Sequence, residues 1–182
     1  MHHRSPSSQD LKLKLKVDTI GILSTSRPKS TGIVEEGHDA DSSSSYAVET
    51  PSDILHREIT TIYKGLNKEK VGSIEIHNYR HDVVNVRGTN ISLTTSFTGT
   101  SGEFTASDGQ AYKWAWKQPA IELLAHDGSE TLVARYDRAH ILVYPQALHI
   151  VEEVLVTLLY MLQTTRRDDI HGQIIATVGA NR

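Results

Sequence analysis

Apolar and polar residues alternate strictly from Leu11 to Val17 (LKLKLKV). A period of two predicts a half-buried strand, with Leu11, Leu13, Leu15 and Val17 turned to a core. The other face carries Lys12, Lys14 and Lys16, about 7 Å apart along the strand, as on a solvated edge strand guarded from aggregation by lysines. Alternation returns at Val71-Gly-Ser-Ile-Glu-Ile-His77. Residues Ile54 to Lys64, with β-branched Ile59-Thr-Thr-Ile62, predict a strand that turns at Gly65 and Asn67. Tyr46–Thr50, Val83–Arg87 and Asn90–Phe97 read as further strands, the last two parted by Gly88. Asp108-Gly109 and Asp127-Gly128 each sit between two strand-like runs. That pair suits a type I′ turn, whose two central residues both need positive φ, so two hairpins are expected. Ile141–Tyr144 and Ala147–Ile150 read as short strands on either side of Pro145. Strands recurring every 8–12 residues or so describe an antiparallel meander or barrel.

The pattern changes at Val151. From there to Leu162 only Glu152, Glu153 and Thr157 are polar, and no stripe of either period can be drawn. A segment apolar on every side must be enclosed on every side. Its leucines, its acidic start and the Arg166-Arg167 that follow favour a helix over a strand, because those charges suit the two ends of a helix dipole. Twelve residues reach about 18 Å, short of the roughly 30 Å apolar core of a bilayer, so a buried core helix is expected over about 151–166. A curved sheet around one apolar helix satisfies both, each supplying the surface the other must bury.

The domain plan follows: a disordered N-terminus over 1–10, a strand over 11–17, a flexible polar stretch over 18–45, a β-barrel with its helix over 46–167 and a tail over 168–182. The polar stretch is expected to stay unfolded because the run Asp39-Ala-Asp-Ser-Ser-Ser-Ser45 and its surroundings hold too few apolar groups to order themselves. A chain of 182 residues suffices for one domain. With net charge −3 it carries no global basic field of the kind nucleic-acid binding needs. It has no cysteine, which rules out disulfides and thiolate metal sites and fits a reducing compartment. Met1-His-His-Arg-Ser-Pro opens the chain without the apolar run of a secretory signal. A cytoplasmic protein, peripheral to a membrane at most, is expected.

Val71–His77, Phe104-Thr-Ala-Ser-Asp-Gly-Gln-Ala-Tyr-Lys-Trp114, Val133-Ala-Arg135 and Val154–Met161 occur in that order. Over about residues 45–167 the chain resembles a fungal, chiefly basidiomycete, domain of unknown function with a tubby C-terminal-like fold. Its superfamily includes LURP-one-related proteins and phospholipid scramblases. The resemblance implies an antiparallel β-barrel wrapped around a C-terminal hydrophobic helix, with no catalytic residue and no cofactor to carry over. Tubby proteins bind phosphoinositides through basic residues, but no such positions match here.

The chemistry-bearing residues offer little else. His81-Asp82 and His126-Asp127 are neighbours in sequence, and neighbours on a strand point to opposite faces. Neither pair builds a triad or chelate, and no phosphate loop, zinc signature or nucleophile elbow is present. Trp114 and Trp116 share a strand face with Tyr112 and are expected to pack in the core or barrel wall. Glu152 and Glu153 are expected to compensate the helix N-terminus. The functional expectation is a non-enzymatic domain with no metal and no nucleic-acid partner. It would bind anionic membrane lipid through Lys12, Lys14 and Lys16, with Lys113 and Lys117 contributing only if the fold brings them alongside, or act as a structural or protein-interaction module without lipid affinity.

Overall fold

The computed structural model describes residues 11–15, 29–35, 46–50, 57–77, 80–96, 101–137 and 140–179, of which 12, 14, 15, 29–35, 57, 58 and 166–179 by backbone alone. Among these residues thirteen strands precede one long helix. They are β1 (Leu11–Leu15), β2 (Lys29–Glu35), β3 (Tyr46–Thr50), β4 (Arg57–Lys64), β5 (Glu69–His77), β6 (Val83–Val86), β7 (Thr89–Ile91), β8 (Thr94–Thr95), β9 (Ser101–Thr105), β10 (Ala111–Lys117), β11 (Ala120–Ala125), β12 (Leu132–Tyr136) and β13 (His140–Val143). A 3-10 turn, Pro145–Ile150, leads into the helix α1, Val151–Gly179.

All pairings are antiparallel, in the order β7-β6-β5-β4-β3-β2-β1-β13-β12-β11-β10-β9-β8. The ladder thus has two halves, β2–β7 and β8–β13, with β1 hydrogen-bonded to both. Its two end strands, β7 and β8, are separated in the chain by Ser92 and Leu93 alone. Three Cα steps reach at most about 11 Å, whereas thirteen strands laid flat would span roughly 60 Å at about 4.8 Å each. The sheet is therefore curled back on itself. No ladder joins β7 to β8 among the described residues, so the hydrogen bonding does not close.

The helix lies inside this curl. Val154, Leu155, Val156, Thr157 and Leu158 are fully buried and Leu159 almost so, as an all-round apolar segment demands; Leu162 is partly buried. Both halves of the sheet reach it. A Cβ built at Gly72 of β5 would meet Val156 Cγ2 at 2.6 Å, and one at Gly102 of β9 would meet Met161 Sδ at 2.6 Å. Trp114 of β10 donates Nε1–H to Thr157 Oγ1 at 2.9 Å, and Gln163 Nε2 donates to Thr60 Oγ1 of β4 at 2.8 Å.

Several local expectations need correction. β1 is not an edge strand: it lies in the middle of the order, with β2 and β13 on its two sides. Within the stretch expected to be flexible and polar, Lys29–Glu35 is a strand. Composition averaged over the whole stretch hides seven residues that hold Ile33 and Val34 and pair on both sides. Ala147–Ile150 belongs to a 3-10 turn rather than a strand, because Pro145 at its start has a φ preset for a helical turn. The helix runs past 166 to Gly179, through residues expected as tail. With the 3-10 turn, Pro145–Thr165 is in fact long and apolar enough to cross a bilayer, and what marks it as core is that Val154 to Met161 are buried in the protein.

Both Asp-Gly hairpins form, as β9–β10 and as β11–β12. Neither is a type I′ turn, since Gly109 and Gly128 have positive φ and Asp108 and Asp127 do not. At the first, Gly109 N–H bonds to Ala106 O, and Asp108 Oδ1 accepts from Gln110 N–H. Asp serves there as a side-chain acceptor that braces the turn.

Candidate functional site

The residues expected to carry function do not converge. Lys12 and Lys14 sit on β1, in register with Leu142 and His140 of β13. Their side chains, like the whole of Lys16, lie outside the described residues. The two lysines expected to assist them are already neutralised: Lys113 pairs with Glu103 at 3.0 Å and Lys117 with Glu122 at 3.1 Å. Asp82 is not a partner of His81. It accepts from His77 N–H at 2.8 Å and from Tyr160 O–H at 3.1 Å, pinning the helix to the loop before β6. Asp127 is spent on Ser129, through both the backbone N–H and the hydroxyl. Among the described residues no three His, Asp or Glu side chains form a metal-binding group. Tyr112 and Trp114 are core residues, whereas Trp116, toward the end of the same strand, is 38% exposed.

The polar chemistry gathers instead at the N-terminal end of α1. Glu152 and Glu153 are both buried and do more than face the helix dipole. Glu152 receives Arg87 through Nε and Nη2, and Lys64 Nζ at 3.2 Å. Burial works to raise the Glu152 pKa, but the hydrogen bonds and charges of Arg87 and Lys64 outweigh it and hold the carboxyl below its ordinary value. Arg87 also reaches Glu69 at 2.9 Å, and Lys64 lies over the Tyr46 ring at 5.6 Å. Glu153 takes the second half of the sheet: its Oε1 accepts Ser107 N–H at 2.7 Å.

Beside it, Asp108 Oδ2 accepts from Tyr112 O–H at 2.7 Å and meets His149 Nε2 at 2.8 Å. Burial opposes the Asp108 charge, while Gln110 N–H, Tyr112 and His149 together keep the carboxyl below its ordinary range. The Tyr112 hydroxyl is pushed up, first by burial and then by Asp108. Arg87, Lys64 and Ser107 come from turns and strand ends at sequence separations of 46 to 88 from the carboxylates they meet. No local pattern signals such partners.

Among the described residues the most exposed large apolar side chain is Leu66, at the tip of the β4–β5 turn (Gly65–Lys68), at 69%, against 38% for Trp116 and for Leu148. The turn beneath it is braced. Lys68 N–H donates to Gly65 O, Lys68 Nζ pairs with Glu49 at 2.8 Å, and the same ammonium lies 5.9 Å from the Tyr63 ring centroid. A leucine amid Lys-Gly-Leu-Asn-Lys-Glu-Lys is visible in the sequence as an apolar residue where a turn should be polar.

Compared with known proteins, residues 27–168 match the model of a family of unknown function, DUF6593. No curated protein and no solved structure matches the chain.

Proposed function

Because this chain belongs to the DUF6593 family of unknown function, we propose a role for it from its own geometry: a non-enzymatic protein-interaction domain that docks through the end bearing Leu66. The observation that carries this reading is a leucine 69% exposed at the tip of a braced turn. Folding leaves this side chain in water, so a partner that covers it would gain its burial. The architecture under it is of the tubby C-terminal-like kind, a curled antiparallel sheet around a C-terminal helix. What supports a non-catalytic role is that Asp82, Asp108, Asp127, Glu152 and Glu153 are each committed to backbone, tyrosine or cationic groups that hold the fold. The absence of cysteine supports a reducing, cytoplasmic setting.

Anionic lipid is the second reading, and Lys12, Lys14 and Lys16 are what favours it. Each surface lysine contributes roughly 1 kcal/mol near such a membrane, so three give marginal binding. Lys64, Lys68, Arg87, Lys113 and Lys117 add little, because each already faces a carboxylate. Two measurements separate the readings. A photo-crosslinker at position 66 should capture a defined protein partner in cells, whereas one at Ser129 should not, and a leucine-to-serine change at 66 should abolish the partner's binding to the unlabelled chain. In flotation at low salt the protein should stay off strongly anionic vesicles. Flotation that disappears when the three N-terminal lysines are replaced by glutamine would overturn the interaction reading in favour of lipid.

A further inference from the structure

Among the described strands β1 alone is hydrogen-bonded to both halves of the sheet, yet it is not their one link. The helix is another. Glu152, Val156, Tyr160 and Gln163 engage the half containing β4–β6 and the turns beside them, through Lys64 and Arg87, Gly72, Asp82 and Thr60. Glu153, Thr157 and Met161 engage the other half, through Ser107, Trp114 and Gly102. With its two halves bound to one spine, the sheet is joined through the helix as well as through β1.

β1 itself is short. It has five residues, with Leu13 buried and Leu11 partly buried as its described apolar anchors. Its ladders are short, Leu11 to Lys14 along β13 and Leu13 to Leu15 along β2. Residues 16–28 separate it from β2, enough chain to span roughly 40 Å when extended. It also lies outside the 27–168 family match. If β1 leaves, β2 and β13 become two open antiparallel edges facing one slot, an arrangement that recruits an extended chain.

We propose that β1 is an exchangeable strand and that the slot between β2 and β13 is a strand-binding site, filled in trans by residues 11–15 of a second copy of this chain. The main chain would supply both ladders whatever the sequence. Val143 and Ile141, the register partners of Leu11 and Leu13 on β13, would favour leucine at those alternate positions. Exchange of an identical element through a long tether is a low-cost route to a dimer.

The test uses the full-length chain and a fluorescent peptide of residues 11–17 (LKLKLKV), with a scrambled peptide of the same composition as control. In the Leu13→Asp protein the resident strand is unseated. This variant should bind the peptide at least tenfold more tightly than wild type, whose own strand competes, and neither protein should bind the scrambled peptide. Should Leu13→Asp fail to fold by circular dichroism, saturating peptide should restore its spectrum. Wild type concentrated and then diluted should yield a dimer that excess peptide dissolves. A folded Leu13→Asp protein that ignores the peptide, or an unfolded one that the peptide does not rescue, would overturn the proposal. Peptide binding with no wild-type dimer would overturn the second copy as occupant and assign the slot to a strand from another protein.

Discussion

At the scale of single residues, two glycines decide how closely the sheet approaches the helix, and they do so unequally. A methyl at Gly72 would strike Val156 Cγ2 at 2.6 Å and the Asn85 carbonyl at 3.0 Å, both rigidly placed. At Gly102 the obstruction is the flexible thioether of Met161. Gly72→Ala should therefore cost about 1–3 kcal/mol, as overpacking usually does, and Gly102→Ala clearly less. Urea denaturation of the two variants checks the order, and equal costs would mean that the β5 contact yields as readily as methionine does. Thr157 offers a second case. Its hydroxyl accepts from Trp114 and donates to Glu153 O at 2.7 Å. Thr157→Val should lose about 1–3 kcal/mol by leaving a buried indole N–H without an acceptor, and Thr157→Ser should keep most of that. The Leu66 side chain touches water instead, so Leu66→Ser should leave the melting temperature within error.

At the scale of elements, the first turn of α1 is an electrostatic clamp, and its pH dependence follows in sign. The Glu152 carboxyl has a folded pKa below its ordinary value near 4.5. Its stabilisation is thus fully present above that ordinary value and is lost as pH falls through the folded one. Glu152→Gln should be less stable than wild type at pH 7, and the gap should narrow on acidification; a gap that stays constant from pH 7 to pH 3 would mean the ion pairs with Arg87 and Lys64 contribute nothing. Asp108, also held low, acts in the same direction. Elements likewise show where local signals were sufficient. The alternation at Val71–His77 became β5, and both Asp-Gly pairs became hairpin turns. The turn type was not legible, because Asp108 and Asp127 brace their turns through side-chain hydrogen bonds without positive φ, which falls to Gly109 in one hairpin and to Gly128 and Glu130 in the other.

At the scale of the molecule, the enclosed helix is the organising fact. Leu159 is 1% exposed and inside the curl of the sheet. Leu159→Asp should abolish folding, since a buried carboxylate without a partner costs more than a domain of this size can offset. The expected readout is loss of the cooperative thermal transition, and a folded variant with a normal transition would show that the helix has access to water. The two halves of the sheet and the helix should also unfold together. Hydrogen exchange should show β5, β10 and residues 151–163 protected as one unit, with β1 exchanging faster than any of them.

The sequence alone determined the class of the molecule: mainly strands, then one helix that had to be enclosed. Period-two alternation, Asp-Gly pairs and the all-round apolar run from Val151 to Leu162 are local properties, and burial acts on them whatever their partners. Tertiary structure alone decided that β1 lies between two halves instead of at an edge, and that Lys29–Glu35 is a strand despite its polar surroundings. It also decided that Glu152 meets Arg87 and Lys64 across 65 and 88 residues of chain. Strand order and ion-pair partners depend on which segments meet once the chain has curled around its helix. Contacts at such separations leave no period in the sequence, because each partner satisfies only its own local rules until the fold brings the two together.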